Sequence, residues 1–542
     1  MRLATVAAVF IAVLSAPPAA HAQAAHQHAA AETLGTVRFD TSCQPAVQPG
    51  VDRAVALLHS FQFGPATAGF RDVLMRDPDC TIAYWGIALS AWSNPFAGFK
   101  SPAQLAQGLD AVLAGRARPP GTARERAYLD AVAHLYVDSV RIRQPDRVRA
   151  YATAMAKVGA AYPDDMEATI FAALALAASA DPADKTYAHQ LQAGKTLEAL
   201  FVRFPDHPGL AHYIIHAYDE PELATRAAAA AQRYGAIAPS TPHALHMPSH
   251  TFTRIGAWQA SIATNMASAD AARRAGQPGD ALHASDYMVY AYLQTAQDEA
   301  AKQLVGAAAA TFERFDPARA TGAAPASAAF FAHAAIPARY CLERRDWAAA
   351  MALTPRTTPF PYADAITLFT QGLGAAHLHN VPLAQQSVAA LGAIRDRLTA
   401  AQDRYWADQA EIARLQVAAQ LAVAQGDRGQ ALALLTRAAA LEDVTELASI
   451  TPGPFVPVRE MLGELHLLEG QPRPALQAFQ ATLVRQPNRF WSLYGAAKAA
   501  QAAGETAAAQ TYFRQLLALT VDADRPRRAE LVEASTYLTT PH

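Results

Sequence analysis

Residues 462–513 read LGELHLLEGQPRPALQAFQATLVRQPNRFWSLYGAAKAAQAAGETAAAQTYF, and the spacing inside this stretch decides the fold. Gly470, Ala475 and Phe479 recur as Gly504, Ala509 and Phe513, each 34 residues on, with Leu462-Gly463 opening the first unit and Pro487 closing it. Small residues at Gly463 and Ala475 let two antiparallel helices approach closely, and Gly470 permits the turn between them. The chain is rich in Ala and Leu and lacks the alternating β-branched runs that strands require. At 542 residues it exceeds what one core serves, so an all-α array of helical hairpins is expected.

This pattern resembles the tetratricopeptide repeat (TPR), a helix–turn–helix unit of about 34 residues. Turn-like points followed five residues later by a small residue recur at Gly256/Ser261, Arg345/Ala350 and Gly426/Ala431, with degenerate versions near Gly64, Asp219 and Ala296. The resemblance covers about two-thirds of the chain beyond its N-terminal segment, and implies a superhelical solenoid whose first helices line a concave groove. Irregular spacing upstream implies longer helices or inserted turns. The stretches SCQPAVQPG, DPDCTIAYWGIALS, HYIIHAYDEP and HALHMPSHTFTRIGAW are similar to a group of exported bacterial TPR proteins. That similarity implies fold and export, and no reaction. The expected organisation is N-terminal repeats at 37–175, central histidine-rich repeats at 176–315, a C-terminal array at 316–520 and a tail at 521–542, with Pro317 to Pro325 as an interior hinge.

Residues 1–22 read as a signal peptide: Arg2, an apolar run from Leu3 to Ser15, then Ala20-His21-Ala22 as a cleavage signal. Residues 23–36 read as a disordered tail, in which His26 and His28 are at most weak metal binders. No later stretch has 18 uninterrupted apolar residues, so no stable membrane anchor is expected and the mature protein is read as periplasmic or secreted. Lys plus Arg number 45 against 47 Asp plus Glu, which offers no general attraction for nucleic acid. Of three cysteines, Cys43 and Cys80 flank the first helical pair and are expected to bridge, a loop closure contributing about 3–4 kcal/mol. Cys341, in ARYCLERRDW, reads as a buried small hydrophobe.

Function points to the histidines. Seven of the 18 lie between His207 and His283. In AHYIIHAYD, His212, His216 and Asp219 stand at i, i+4 and i+7; in PHALHMPSH, His243, His246 and His250 stand at i, i+3 and i+7. Each set shares one helical face. His212 and His216 precede His246 and His250 by 34 residues, whereas aligning the turns at Gly256 and Ala296 pairs His243 with His283 and His246 with Asp286. Both pairings put the rings in the groove. Pro248 should break the helix, splay His246 from His250 and expose a carbonyl, while Pro242 starts a helix capped by Ser240 or Thr241.

Imidazole is the commonest protein ligand for transition metals, and an all-nitrogen set in an exported protein points to Zn or Cu. His212, His216, His246 and His250 are the expected ligands. His243, His283, Asp219 and Asp286 are alternates, or acceptors that hold a ring N–H. The expected function is an exported TPR scaffold whose groove binds a divalent transition metal and a protein, peptide or small-ligand partner. A metal-dependent enzyme, hydrolytic or oxidative, is the alternative, with Glu167 or Asp286 as base; a metal-free protein-interaction adaptor is the third. The H-E-x-x-H signature is absent, since Tyr213 follows His212, and no G-x-S-x-G, Walker or C-x-x-C-H motif occurs. Trp85 and Asn94 to Phe96 are expected to end a helix and wall the groove, with Trp92 or Asn94 as candidate ligand contacts. His59 is expected to be packed, and His377 and His379, two apart, to face different ways.

Overall fold

Turns are set by residues in the left-handed region. Gly256, Ala296, Arg345 and Gly426, four of the points marked by the spacing, have φ of +69°, +56°, +54° and +83°. Gly470 and Gly504 match them at +68° and +77°, and so do Gly276, His379, Gln402 and Asn488. A left-handed residue just past a helix end satisfies the last carbonyls and redirects the chain, which is how successive helices fold back on one another. The computed structural model describes residues 32–119, 121–320, 322–445, 448 and 450–540. The expected signal peptide, residues 23–31 of the expected tail, and His26 and His28 lie outside them. Among the described residues there are helices and no strands, and no helix is long and apolar enough to cross a membrane.

The two clear repeats form the helices Val458–Leu468, Pro472–Arg485, Phe490–Ala502 and Thr506–Leu519. Phe479 is buried between them, and a Cβ at Gly463 or Gly495 would collide with its ring. The repeat glycines therefore mark close helix contact as well as turns. The segment 521–540 carries a further helix, Ala529–Thr539.

This C-terminal array packs back onto the central helices. The Trp258 indole N–H donates to the Asn488 carbonyl at 2.8 Å, and the Asp524 amide to the Ala296 carbonyl at 3.0 Å. Arg489, fully buried, pairs with Glu343 at 2.7 Å and Glu460 at 2.8 Å. Arg339 pairs with Asp286 at 2.8 Å, donates to Thr451 Oγ1 at 2.8 Å and lies over the Phe455 ring. At the other end Leu34 is buried and the Thr36 amide donates to the Asp206 carbonyl at 2.9 Å, so residues 33–36 are held against the array. Cys43 and Cys80 form a disulfide with Cα atoms 4.8 Å apart. Cys341 is buried, and burial pushes its thiol up to about 11.

Removing one partner of a buried ion pair leaves the other charged and unpaired, at a cost of about 3–5 kcal/mol. Arg489→Ala should therefore lower stability to urea by about that much, whereas Arg473→Ala, on the exposed Glu505 pair, should change it by less than about 1 kcal/mol. Equal midpoints for the two variants would mean that the Arg489 pairs do not hold the array closed.

Candidate metal centre

Four helical segments bring the histidines together. His212 and His216 lie on Pro208–Ala217, His243 and His246 on Pro242–His246, His250 on Pro248–Arg254 and His283 on Pro278–Gln294. All six are buried or nearly so, except that His283 is partly accessible. Their ligand atoms sort into two trios, His212/His216/His243 and His246/His250/His283, each with its three atoms within 4.8 Å of one another. The expected set of four is thus divided between two groups, and the two alternate histidines, His243 and His283, complete them. His212 faces His243 and His246 faces His283, each about one helical turn from the offsets expected from the repeat.

Acceptors around the rings fix their protons. His212 Nδ1 is 2.6 Å from the His59 carbonyl, which can only accept, so Nδ1 carries the hydrogen. His246 Nδ1–H donates to Asn265 Oδ1 at 2.7 Å; the Asn265 amide is oriented because its Nδ2 donates to the Ser261 carbonyl at 2.8 Å. His250 Nδ1–H donates to Asp219 Oδ2 at 2.8 Å, and Arg254 Nε donates to the other oxygen at 3.2 Å. Asp219 is thus an acceptor for a ring N–H. In these three rings the remaining nitrogen is Nε2, and it faces another imidazole. His246 Nε2 and His250 Nε2 lie 3.0 Å apart, and His212 Nε2 and His243 Nε2 3.1 Å apart. Two nitrogens at about 2.0–2.1 Å from one ion stand about 3 Å apart. His216 Nε2 and His283 Nδ1 are buried with no hydrogen-bond partner among the described residues.

Burial favours the neutral form of five of the six rings. It lowers His212 and His283 to about 3, with nearby imidazoles adding to the effect, and lowers His216, His243 and His246 well below the ordinary value. Burial also works against the Asp219 charge, but Arg254 and His250 outweigh it and hold the carboxyl low.

Pro248 does not splay the rings. Met247 keeps helical angles (φ −53°, ψ −36°), so Pro248 starts a second segment that continues from the first and brings His250 back against His246. Pro242 stands at the start of its helix as expected, but the Thr241 hydroxyl donates to the Ala238 carbonyl instead of capping it.

Neither expected base faces the rings freely. Asp286 is paired with Arg339, and burial raises its carboxyl despite that partner. Glu167 accepts from His59 Nε2 at 2.8 Å and His207 Nε2 at 2.9 Å, and these two hold it ionised against burial. His59 is packed as expected: its ring is fully buried, takes a bond from Tyr213 OH at 3.0 Å, and lies so close to Gly209 that any Cβ there would strike it.

Three residues escaped the sequence reading. Phe61 sits in a turn with φ +54°, a conformation costly for a non-glycine residue, and its ring stacks on His243 and His216 and meets His212 edge-on. Asn265 and the His59 carbonyl orient the rings. No local motif announces any of them. Phe96, expected in the groove wall, stacks on His216 with centroids 4.3 Å apart. Asn94 lines the adjoining cavity, while Trp92 is buried beneath the Lys100 ammonium. His377 stacks on Trp347 and His379 makes a turn, away from the cluster.

A cavity of ≈ 790 Å³ touches His216, His243, His250, His283 and Asp219 on one side and Phe360, Tyr362, Tyr405 and Trp406 on the other. Its size suits a small molecule or a peptide side chain.

No family model matches the sequence, and no curated protein matches it. Among solved structures, the chain is similar to one in "Crystal structure of APC/C hetero-tetramer Cut9-Hcn1", with 12% identity, 91% of this chain and 95% of that chain covered, and a TM-score of 0.30. At that score the likeness carries no argument. The hairpin architecture rests on the helices themselves.

The ring environments imply a pH dependence of stability in the absence of metal. His212 and His283 protonate near 3 in the fold, against 6.5 ordinarily, so the unfolded chain binds more protons between those values. Stability is complete above pH 6.5 and is lost as pH falls towards 3, by up to about 1.4 kcal/mol per ring per pH unit. The thermal midpoint should drop steadily from pH 7 to pH 5; a flat midpoint would mean that the rings are not held neutral.

Proposed function

We propose that this protein is a helical-hairpin scaffold that holds a divalent transition metal, Zn or Cu, in its imidazole cluster and presents it to a peptide or small ligand in the adjoining cavity. One observation carries the proposal. His246 and His250 both spend their Nδ1 hydrogens on outside acceptors, so two lone pairs face each other across 3.0 Å. That arrangement repels unless a cation lies between them. A proton on His246 is disfavoured, because burial lowers that ring well below its ordinary value. A metal ion satisfies both nitrogens at once. The carboxylate and amide acceptors behind the rings are those that raise ligand basicity and fix ring orientation in metal sites. All-nitrogen donors suit Zn and Cu. Export to an oxidising compartment belongs to the same proposal, and the Cys43–Cys80 disulfide supports it.

A second reading, a metal-dependent enzyme, is favoured by the cavity that opens on four of the six rings. Glu167 spends both oxygens on His59 and His207, and Asp286 spends one on Arg339, which weighs against hydrolysis and leaves oxidative chemistry as the better form of this alternative. A metal-free adaptor is the outcome expected if the rings are merely packed.

Elemental analysis of purified protein should find at least one equivalent of Zn or Cu, and added metal should raise the thermal midpoint, by the equivalent of about 2.7 kcal/mol at one hundred times the dissociation constant. His246→Ala combined with His250→Ala should abolish most of that rise. Metal-free protein whose midpoint ignores Zn and Cu would leave the adaptor.

A further inference from the structure

The six rings fit two ions better than one. Each trio holds three imidazoles, and each has its own orienting acceptors: the His59 carbonyl for the first, Asn265 and Asp219 for the second. Six imidazoles exceed the four-coordination usual for Zn, whereas three per ion with one position left open is the pattern of reactive metal sites. The trios adjoin. His216 and His250 have ring centroids 6.2 Å apart, as do His243 and His246, separations no larger than the longest within a trio. His243 and His246 stand on one five-residue helix yet serve different trios. The same cavity touches members of both.

We infer that the cluster is a dinuclear centre, with one ion on His212, His216 and His243, a second on His246, His250 and His283, and open positions that share a small bridging anion at the cavity wall. This rests on the metal-scaffold reading and extends it. Two divalent ions add four positive charges to a buried site whose carboxylate, Asp219, is already matched by Arg254. An anion such as hydroxide or azide between the ions relieves that imbalance, and metal pairs commonly bind their reacting oxygen in this way.

His216 and His283 are the residues to change, since His216 Nε2 and His283 Nδ1 have no hydrogen-bond partner among the described residues to lose. Full-chain protein, stripped and reloaded with Cu(II), should bind two equivalents by elemental analysis. His216→Ala and His283→Ala should each bind one, and the double variant none. Paramagnetic resonance of the loaded wild type should integrate to far fewer than two spins, through coupling across a bridge, and to one spin in each single variant. Azide should produce a charge-transfer band in the wild type that is weakened at least several-fold in both variants. Circular dichroism and melting check that each variant folds; should one fail, the wild-type stoichiometry and spin count decide alone. One equivalent in the wild type, or loss of all metal in both folded single variants, overturns the dinuclear centre and leaves the single-ion scaffold standing. Two full, uncoupled spins overturn the shared bridge. No bound copper in the wild type overturns both this inference and the reading beneath it.

Discussion

A buried imidazole must place its N–H on an acceptor, and this requirement organises the centre of the protein. An unsatisfied polar group in the interior costs about 1–3 kcal/mol, so each ring's partner fixes which nitrogen carries the hydrogen. For His212, His246 and His250 the partners lie outside the cluster: the His59 carbonyl at the end of the helix Gln48–His59, an amide on Trp258–Arg274 and a carboxylate in the turn after Pro208–Ala217. In these three rings the outward nitrogen is spent, and the inward one faces a neighbouring imidazole. The surrounding acceptors turn a packed set of rings into a set of donors.

Pro248 shows how local geometry serves that end. Lacking an N–H, it cannot bond the Ala244 carbonyl, and an ordinary helix interior would lose about 3 kcal/mol. The chain accommodates it by starting a new segment in register with the old one. His243 can then face the Pro208–Ala217 helix while His246 and His250 face Pro278–Gln294. Phe61 and Phe96 cover the rings with apolar faces, which lowers the local dielectric and helps keep the imidazoles neutral.

The hairpin array was legible because its determinants are local. Gly470, Gly504, Gly256 and Gly426 announce left-handed turns by being glycine; Arg345 and Ala296 were found only through their spacing, and His379, Gln402 and Asn488 carry no such signal. The faces bearing histidine were legible for the same reason, since periodicity along one helix needs nothing but the sequence. Division into trios was not, because it depends on how three helices cross, and a shift of three residues in that crossing exchanges partners. Asp286 illustrates the limit. It lies on the same face as His283, one turn away, and reads as a ligand until Arg339, 53 residues further on, is found to neutralise it. Glu167 shows the same limit: His59 and His207, far apart in sequence, meet on its two oxygens.

That displaced role for Asp286 links the site to the frame. Arg339 holds Asp286 with one nitrogen and reaches Thr451 and the Gly453 carbonyl with the others, so the helix carrying His283 is tied to the segment that leads into the C-terminal repeats. Gly453 in turn lies against Tyr290 on that same helix, where a Cβ would strike the phenol. Residues that bind must be held to within about 0.5 Å to work, and rigid elements do this better than loops. Closing the array therefore positions one wall of the histidine cluster. The converse follows from linkage: any ion that bridges His283 to His246 and His250 stabilises the closed arrangement by its own binding energy. The C-terminal repeats are thus part of the site's architecture, although they contribute none of its six rings.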